Sequence, residues 1–289
     1  MIEDKELKAL ICLLEDPSED VFMVVNDKLK SMGTLIIPQL EHAWENTLNL
    51  FYQDRIENLI QDIQFSELTF ELKNWTEKGS HDLLLGSFLV SKYKYPTLDF
   101  ETTRRQVDSL ISDVLEIYDE RFTPLEKIKV INHIVFDVHR FSRNDTHFYA
   151  INNSYLNKVL ETKKGNSLTL AIVYLLIAQA LKLPVYGVNL PKNFILAFMD
   201  ERCEDERFKD DVLFYINPFN RGAVLGKREI DHFLIHQQLP SKLEYYAPCK
   251  VAVIIYRLFL SLVFSYEQKG QKTDVKAIGQ LSEIIKAHL

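Results

Sequence analysis

Apolar residues recur at helical spacing through most of the chain and switch to continuous short runs only once, between residues 185 and 217. The first hundred residues read as helix after helix. In "DPSED" (16–20), Asp16 is a cap, Pro17 suits a first helical turn and Glu19 completes a capping box. The helix that follows runs through VFMVVNDKLKSM and stops at Gly33. "TLIIPQLEHAWENT" predicts a second short helix, bent near Pro38. Leu50, Ile56, Leu59, Ile60, Ile63 and Leu68 mark an amphipathic helix within 47–76, and "SHDLLLGSFLVSKY" predicts another, capped by Ser80 or Asp82. "YPTLDFE" (95–101) reads as a linker into a new unit. A helix over about 100–119 follows, then "TPLE", with Thr123 as cap, Pro124 in the first turn and Glu126 three residues on. Residues 140–155 predict a loop rich in Asn and aromatic residues, followed by a short helix at 153–160.

The stretch "KKGNSLTLAIVYLLIAQALKLP" (163–184) opens on a glycine and small polar residues and is then apolar almost all round, the signature of a buried helix. Three strand-like runs come next: 185–190, 193–199 and 212–217, the first two separated by Pro191-Lys192 as in a hairpin. Residues 200–211 hold seven acidic and three basic side chains, which predicts a solvated loop. "GKREIDHFLIHQQL" predicts a short helix, and the tail reads as two helices around "EQKGQKTD". The predicted organisation is therefore α+β: a helical region over 1–98, a core of one buried helix on a small antiparallel sheet over 99–242, and a helical hairpin over 243–289. The helix pair at 6–45 resembles a HEAT-type repeat and the tail a tetratricopeptide-type pair; an ordinary helical subdomain and a plain helical hairpin fit the same patterns.

Composition narrows the function classes. A net charge of −7 argues against a nucleic-acid partner, although a local basic patch is compatible with it. Cys12, Cys203 and Cys249 are too widely spaced for a disulfide framework or a CxxC zinc site, which favours a reducing compartment. The N-terminus is acidic and amphipathic, unlike a signal peptide. Apolar runs such as 168–178 contain about 11 residues against the roughly 20 a bilayer needs. A cytoplasmic protein without a membrane partner or cofactor is expected.

The residues "NNSYLNKVLETKKGNSLTLAIVYLLIAQALKLPVYGVNLPKNFILAF", together with "YINPFNRG", resemble the SirB-type branch of the transglutaminase-like superfamily. That branch reads NSYLN-x-VL, then G-[IV]-P-[IL]-[ST]-L, then a segment ending VGLPGHFLVR, then a strand ending IDPFNGG. The resemblance covers about 120–240 and implies a papain-like arrangement. A thiol stands at a helix N-terminus, a histidine on the sheet takes its proton, and a carboxylate or amide orients the imidazole. Carried over by position, the cysteine falls on Ser167, where the branch often has proline. The histidine of GHF falls on Asn193 and the aspartate of IDPFN on Asn217. A serine needs a base, and Asn193 does not titrate, so the general-base contribution of about 10²–10⁴ in rate is absent. The resemblance thus implies a degenerate member without catalysis, which acts by binding protein or peptide. Ser167, Asn193 and Asn217 are expected to hydrogen-bond one another across the old cleft, flanked by His147, Tyr149 and Asn153 as binding candidates. Ser167 or Asn166 also reads as a simple helix cap.

The rival reading is a hydrolase or acyltransferase with a relocated nucleophile, either Cys203 or Ser167 with His147. Acidic neighbours disfavour a Cys203 thiolate. Cys12 is expected in the core, and Cys249 opens the tail helix without a histidine nearby in sequence. His133 and His139 are six apart, unlike a metal pair. His232 and His236 have metal-pair spacing but no third ligand pattern.

Overall fold

The computed structural model describes residues 4–144, 150–200 and 212–289. The chain folds as two compact units, Met1–Glu71 and Leu72–Leu289. The first holds α1 (Asp4–Leu13), α2 (Glu19–Lys30), α3 (Ile37–Glu45) and most of α4 (Leu50–Glu77). Leu7, Ile11, Leu14, Leu29, Leu40 and Ile56 are among the side chains of its core. Arg55 ties the α1–α2 junction to α4. Its guanidinium donates to the Leu14 and Asp16 carbonyls at 2.9 and 2.8 Å and to Glu19 at 2.9 Å, stacked between the Phe22 and Phe51 rings. The bond to Leu14 places this cation just past the C-terminus of α1, where a positive charge is favoured. The "DPSED" signal works differently from its reading. Ser18 is the residue before α2, Pro17 stands outside the helix, and the Asp16 carboxylate accepts from the Ser18 N–H at 2.8 Å. Pro38 lies in the first turn of α3, after a 3₁₀ turn at Gly33–Ile36, and so starts that helix rather than bending it.

In the second unit, α5 (Leu83–Lys92) is capped by Asp82, which accepts from the Leu85 N–H at 2.8 Å. Then come α6 (Phe100–Leu115) and α7 (Pro124–Asn132), the latter with the expected Thr123–Glu126 capping box. A π-helical turn, His133–Val138, continues α7. β1 (Ser142–Arg143), a 3₁₀ turn at Ile151–Ser154 and α8 (Leu156–Thr162) lead to β2 (Lys164–Gly165), which pairs in parallel with β1. Next is α9 (Ser167–Ala180), whose residues 168–178 are all buried.

β3 (Val185–Val188), β4 (Ile195–Met199), β5 (Val212–Asn217) and β6 (Ala223–Leu225) form an antiparallel sheet in sequence order. The β3–β4 hairpin matches the strand-like runs, whereas three-residue β6 and the two-residue pair β1–β2 are too short to show a period. Ile195, Ala197 and Met199 pack on one face of the sheet with Ile230 and Leu234 of α10 (Lys227–His236). By strand alternation Leu196 and Phe198, also buried, point to the other face, and α9 packs on β3 and β4.

The tail is α11 (Val251–Gln268) and α12 (Lys272–Lys286), joined at Gly270. By length and composition α11 is apolar enough to cross a membrane, a possibility that the 11-residue runs did not suggest. In this fold Leu258, Phe259 and Leu262 are among its buried residues, and it packs against α5 and α12.

The chain divides within α4 rather than at the expected boundaries, 98/99 and 242/243. α5 belongs to the second unit because it packs on α11, α8 and α6, with the Phe88 and Phe100 rings 5.1 Å apart. The tail belongs there too. Pro248 bridges Val188, the Cys249 N–H donates to the Gly187 carbonyl at 2.8 Å, and the Tyr155 and Tyr266 hydroxyls meet at 3.0 Å.

Candidate functional site

The N-terminus of α9 is built by Asn166. Its side-chain carbonyl accepts from the Leu168 and Thr169 N–H groups at 3.0 and 2.9 Å, and Thr169 Oγ1 accepts from the Asn166 N–H at 3.0 Å. Two of the helix's orphan donors and the capping residue's own are thereby satisfied. The Asn166 amide also donates to Ser154 Oγ at 3.1 Å, which meets Ser261 Oγ of α11 at 3.0 Å. Asn166, rather than Ser167, is the cap.

Ser167 follows as the first helical residue. It is half-buried, and its hydroxyl bonds to no described residue. Asn153, expected to bind a ligand, is buried and structural. Its carbonyl accepts from Thr169 Oγ1 at 2.8 Å and its Oδ1 from the Asn144 amide at 2.9 Å.

Asn193 lies in the turn between β3 and β4. Its Oδ1 accepts from the Phe194 N–H at 2.9 Å, and its carbonyl accepts from Arg257 of α11, also at 2.9 Å. Arg257 holds the same turn through Asn189 and the Leu190 carbonyl. Asn217 ends β5. Leu196 pairs with Ile216, so continuing the register sets Asn217 opposite Ile195, with Asn193 two residues beyond. The Asn217 Oδ1 atom is buried without a hydrogen-bond partner among the described residues.

Among the described residues no hydrogen bond joins Ser167, Asn193 and Asn217, so the expected mutual pairing is not formed. Asn193 spends its acceptor on its own turn, and Asn217 leaves its acceptor unpaired. His147, Tyr149 and Cys203 lie outside the described residues.

The turn after Asn217 is fixed from behind. Asn132 Nδ2 donates to the Gly222 carbonyl at 3.0 Å, while Asn132 Oδ1 accepts from the Tyr174 hydroxyl of α9, also at 3.0 Å. Gly222 N–H donates to the Asn217 carbonyl at 2.9 Å. Burial holds the Tyr174 hydroxyl well above the usual phenol range. Sequence reading missed Asn132, Tyr174 and Ser154, since an isolated polar residue in a helical pattern gives no hint of a partner 42 or 90 residues away.

In front of this turn lies a cleft of about 480 Å³. Lys164, three residues before Ser167, forms one wall, and Pro218–Arg221, directly after Asn217, another. Phe136, Phe141 and Phe219 line it with apolar surface. Arg143 stands over the Phe219 ring at 6.0 Å, and Arg221 pairs with Asp137.

Among the described residues no other group offers a nucleophile or a metal site. Burial pushes the Cys249 thiol up to about 12, against the pull of Arg257, so it stays protonated near neutral pH. Cys12 is exposed and not a core residue, because the buried stripe of α1 runs through Leu7, Ile11 and Leu14 instead. His139 meets Asp113 at 2.6 Å and His133 meets Asp137 at 3.2 Å. Among the described residues no three His, Cys, Asp or Glu side chains converge as metal ligands.

Residues 101–259 match the family described as Transglutaminase-like superfamily. A UPF0162 protein of Xylella fastidiosa (strain Temecula1 / ATCC 700964) is 31% identical over 152 residues, covering 51% of this chain and 50% of that protein. UPF0162 protein PM0557 of Pasteurella multocida (strain Pm70) is 28% identical over 147 residues, 51% of this chain and 52% of its own length. F-box only protein 21 of Mus musculus is 24% identical over 219 residues, 76% of this chain but 32% of its own length. The chain thus spans about half the length of the UPF0162 relatives and about a third of the F-box relative. No solved structure matches the chain significantly. The matched region takes in the buried helix, the four-stranded sheet and the start of the tail, more than half of the residues, and the chain belongs to the transglutaminase-like superfamily.

Proposed function

We propose that this chain is a degenerate, non-catalytic member of the SirB-type branch, a cytoplasmic protein that works by binding a protein or peptide. The observation that carries the reading is the state of the three triad-equivalent positions. At the helix N-terminus stands Ser167, a nucleophile that is inert without a base. The position of the base holds Asn193, whose Oδ1 is engaged by its own turn. The orphaned Asn217 Oδ1 supports the same reading, because an orienting group that has lost an imidazole N–H partner is left with an unpaired buried acceptor. A protonated, half-buried Cys249 weakens the relocated-nucleophile alternative. The HEAT-like helices of the first unit and the tetratricopeptide-like tail are further candidate surfaces for a protein partner.

The test is turnover and covalent labelling of the full chain. Acyl esters and a fluorophosphonate probe should give the same background signal for wild type and Ser167→Ala. Hydrolysis or labelling that disappears in Ser167→Ala would overturn the proposal.

A further inference from the structure

The cleft between Lys164 and the Pro218–Arg221 turn carries a charge opposite to that of the chain around it. The whole chain has a net charge of −7. Yet among the described residues the cleft and the hollow that adjoins it at Phe136, Phe141 and Ser142 are lined by Arg140, Arg143, Lys164 and Arg221, against a single carboxylate, Asp137. Asp137 is engaged by Arg221 and approached by His133. Arg140 and Lys164 are both exposed, and neither forms an ion pair with a described residue. Cations gathered around a concave, partly apolar surface focus the potential within it and raise the local concentration of anions.

The lining is also amphipathic. Phe136 and Phe141 are buried at its base, and Phe219 forms part of the wall beneath Arg143. A volume of about 480 Å³ falls within the usual range for ligand sites, roughly 300–1,000 Å³. A bare inorganic anion would leave the half-buried Phe219 ring in contact with water, and an apolar ligand would leave the cations unanswered. The complement is a chain segment that alternates carboxylates with an apolar side chain. A nucleic acid is disfavoured because the surrounding net charge repels an extended polyanion.

We propose that this cleft binds an acidic peptide segment, which seats one aromatic or aliphatic side chain against Phe219, above the buried Phe136 and Phe141, and its flanking carboxylates on Arg140, Lys164 and Arg221. The inference rests on the non-catalytic, peptide-binding reading and names the class of peptide.

Isothermal titration calorimetry of the full chain tests it with an acetylated Glu-Phe-Asp-Glu amide as probe. The isosteric Gln-Phe-Asn-Gln amide and inorganic phosphate serve as comparisons. Saturable binding of the acidic peptide is expected, at least about ten-fold tighter than that of the amide analogue. The double variant Arg140→Glu/Lys164→Glu should bind the acidic peptide at least about ten-fold more weakly. Both positions are exposed, so its thermal melt should match wild type, which separates lost binding from lost folding. The proposal is overturned if the acidic peptide does not bind saturably, or if the amide analogue binds equally well. Undiminished affinity in the double variant overturns it too, as does displacement of the peptide by phosphate at matching concentration, which would make this a general anion site. Failure of the peptide without any Ser167-dependent turnover leaves the non-catalytic reading in place. Turnover lost in Ser167→Ala ends that reading whatever the peptide does.

Discussion

Replacing Gly222 with alanine puts a methyl group where the structure has no room for one. A Cβ built on Gly222 falls 1.8 Å from Asn132 Oδ1 and 2.4 Å from its Cγ, and the backbone there has φ +70°. The left-handed backbone alone costs an alanine about 1 kcal/mol. The contact costs more, because Asn132 cannot swing aside freely. It is held at one end by the Gly222 carbonyl and at the other by the Tyr174 hydroxyl. Moving it breaks both bonds and strands a fully buried phenol, whose only other acceptor among the described residues is the Ile128 carbonyl at 3.4 Å. Each stranded polar group costs about 1–3 kcal/mol, so with one at each broken bond Gly222→Ala should destabilise the second unit by about 3–7 kcal/mol in all. Urea unfolding followed by far-UV circular dichroism measures this as a fall in the midpoint. The same substitution in an Asn132→Ala background, where the obstructing atoms are gone, should cost only the backbone term of about 1 kcal/mol. A cost within about 1 kcal/mol in the native background would refute the bracing argument. So would an equally large cost in both backgrounds.

Other consequences can be checked separately. Asn166→Ala removes the cap of α9 and should cost about 1–2 kcal/mol in the same urea assay, whereas Ser167→Ala should change stability by less than about 0.5 kcal/mol. The Tyr52 hydroxyl donates to the Ile11 carbonyl at 2.9 Å, and burial pushes its pKa from about 10 up to about 12. The fold favours the neutral phenol, so its contribution is complete below about pH 10 and is lost as pH rises through 12. Tyr52→Phe should therefore be less stable than wild type at pH 8, with the gap closing over that alkaline range in pH-dependent melts. Iodoacetamide at neutral pH, read by peptide mass spectrometry, should modify exposed Cys12 well before half-buried Cys249; faster modification of Cys249 would contradict the upward push on its thiol. The triple variant Ser167→Cys/Asn193→His/Asn217→Asp should gain a thiol that alkylates faster than a free cysteine at pH 6. A folded triple variant with an unreactive Cys at 167 would count against the assigned correspondence of these three positions.

Local chemistry and periodicity were enough to find the elements that hold the candidate site. The eleven consecutive buried residues of α9 need apolar side chains all round, and that run is visible without any structure. The Thr123–Glu126 box and the β3–β4 hairpin are written in residues close together, so they too could be read directly. The "INPFNRG" turn was recognisable, but its brace was not. Asn132 meets Gly222 across 90 residues, and no spacing rule encodes such a meeting. Burial of single side chains was equally opaque where a helix face is ambiguous: Cys12 belongs by composition to an apolar stripe, yet the packing of α1 leaves it outside.

The sequence by itself determined that a buried helix precedes a small antiparallel sheet, with Ser167 at the start of that helix and Asn193 and Asn217 beside the strands. Those are properties of residue identity and short-range order. The tertiary structure alone decided that Asn166 rather than Ser167 caps the helix, that Asn217 keeps an unpaired acceptor, and that α5 and the tail share one unit with the sheet. It alone gathered Arg140, Lys164 and Arg221 around three phenylalanine rings in a chain of net negative charge. Packing and electrostatic fields are sums over neighbours in space, and most of those neighbours are far apart along the chain.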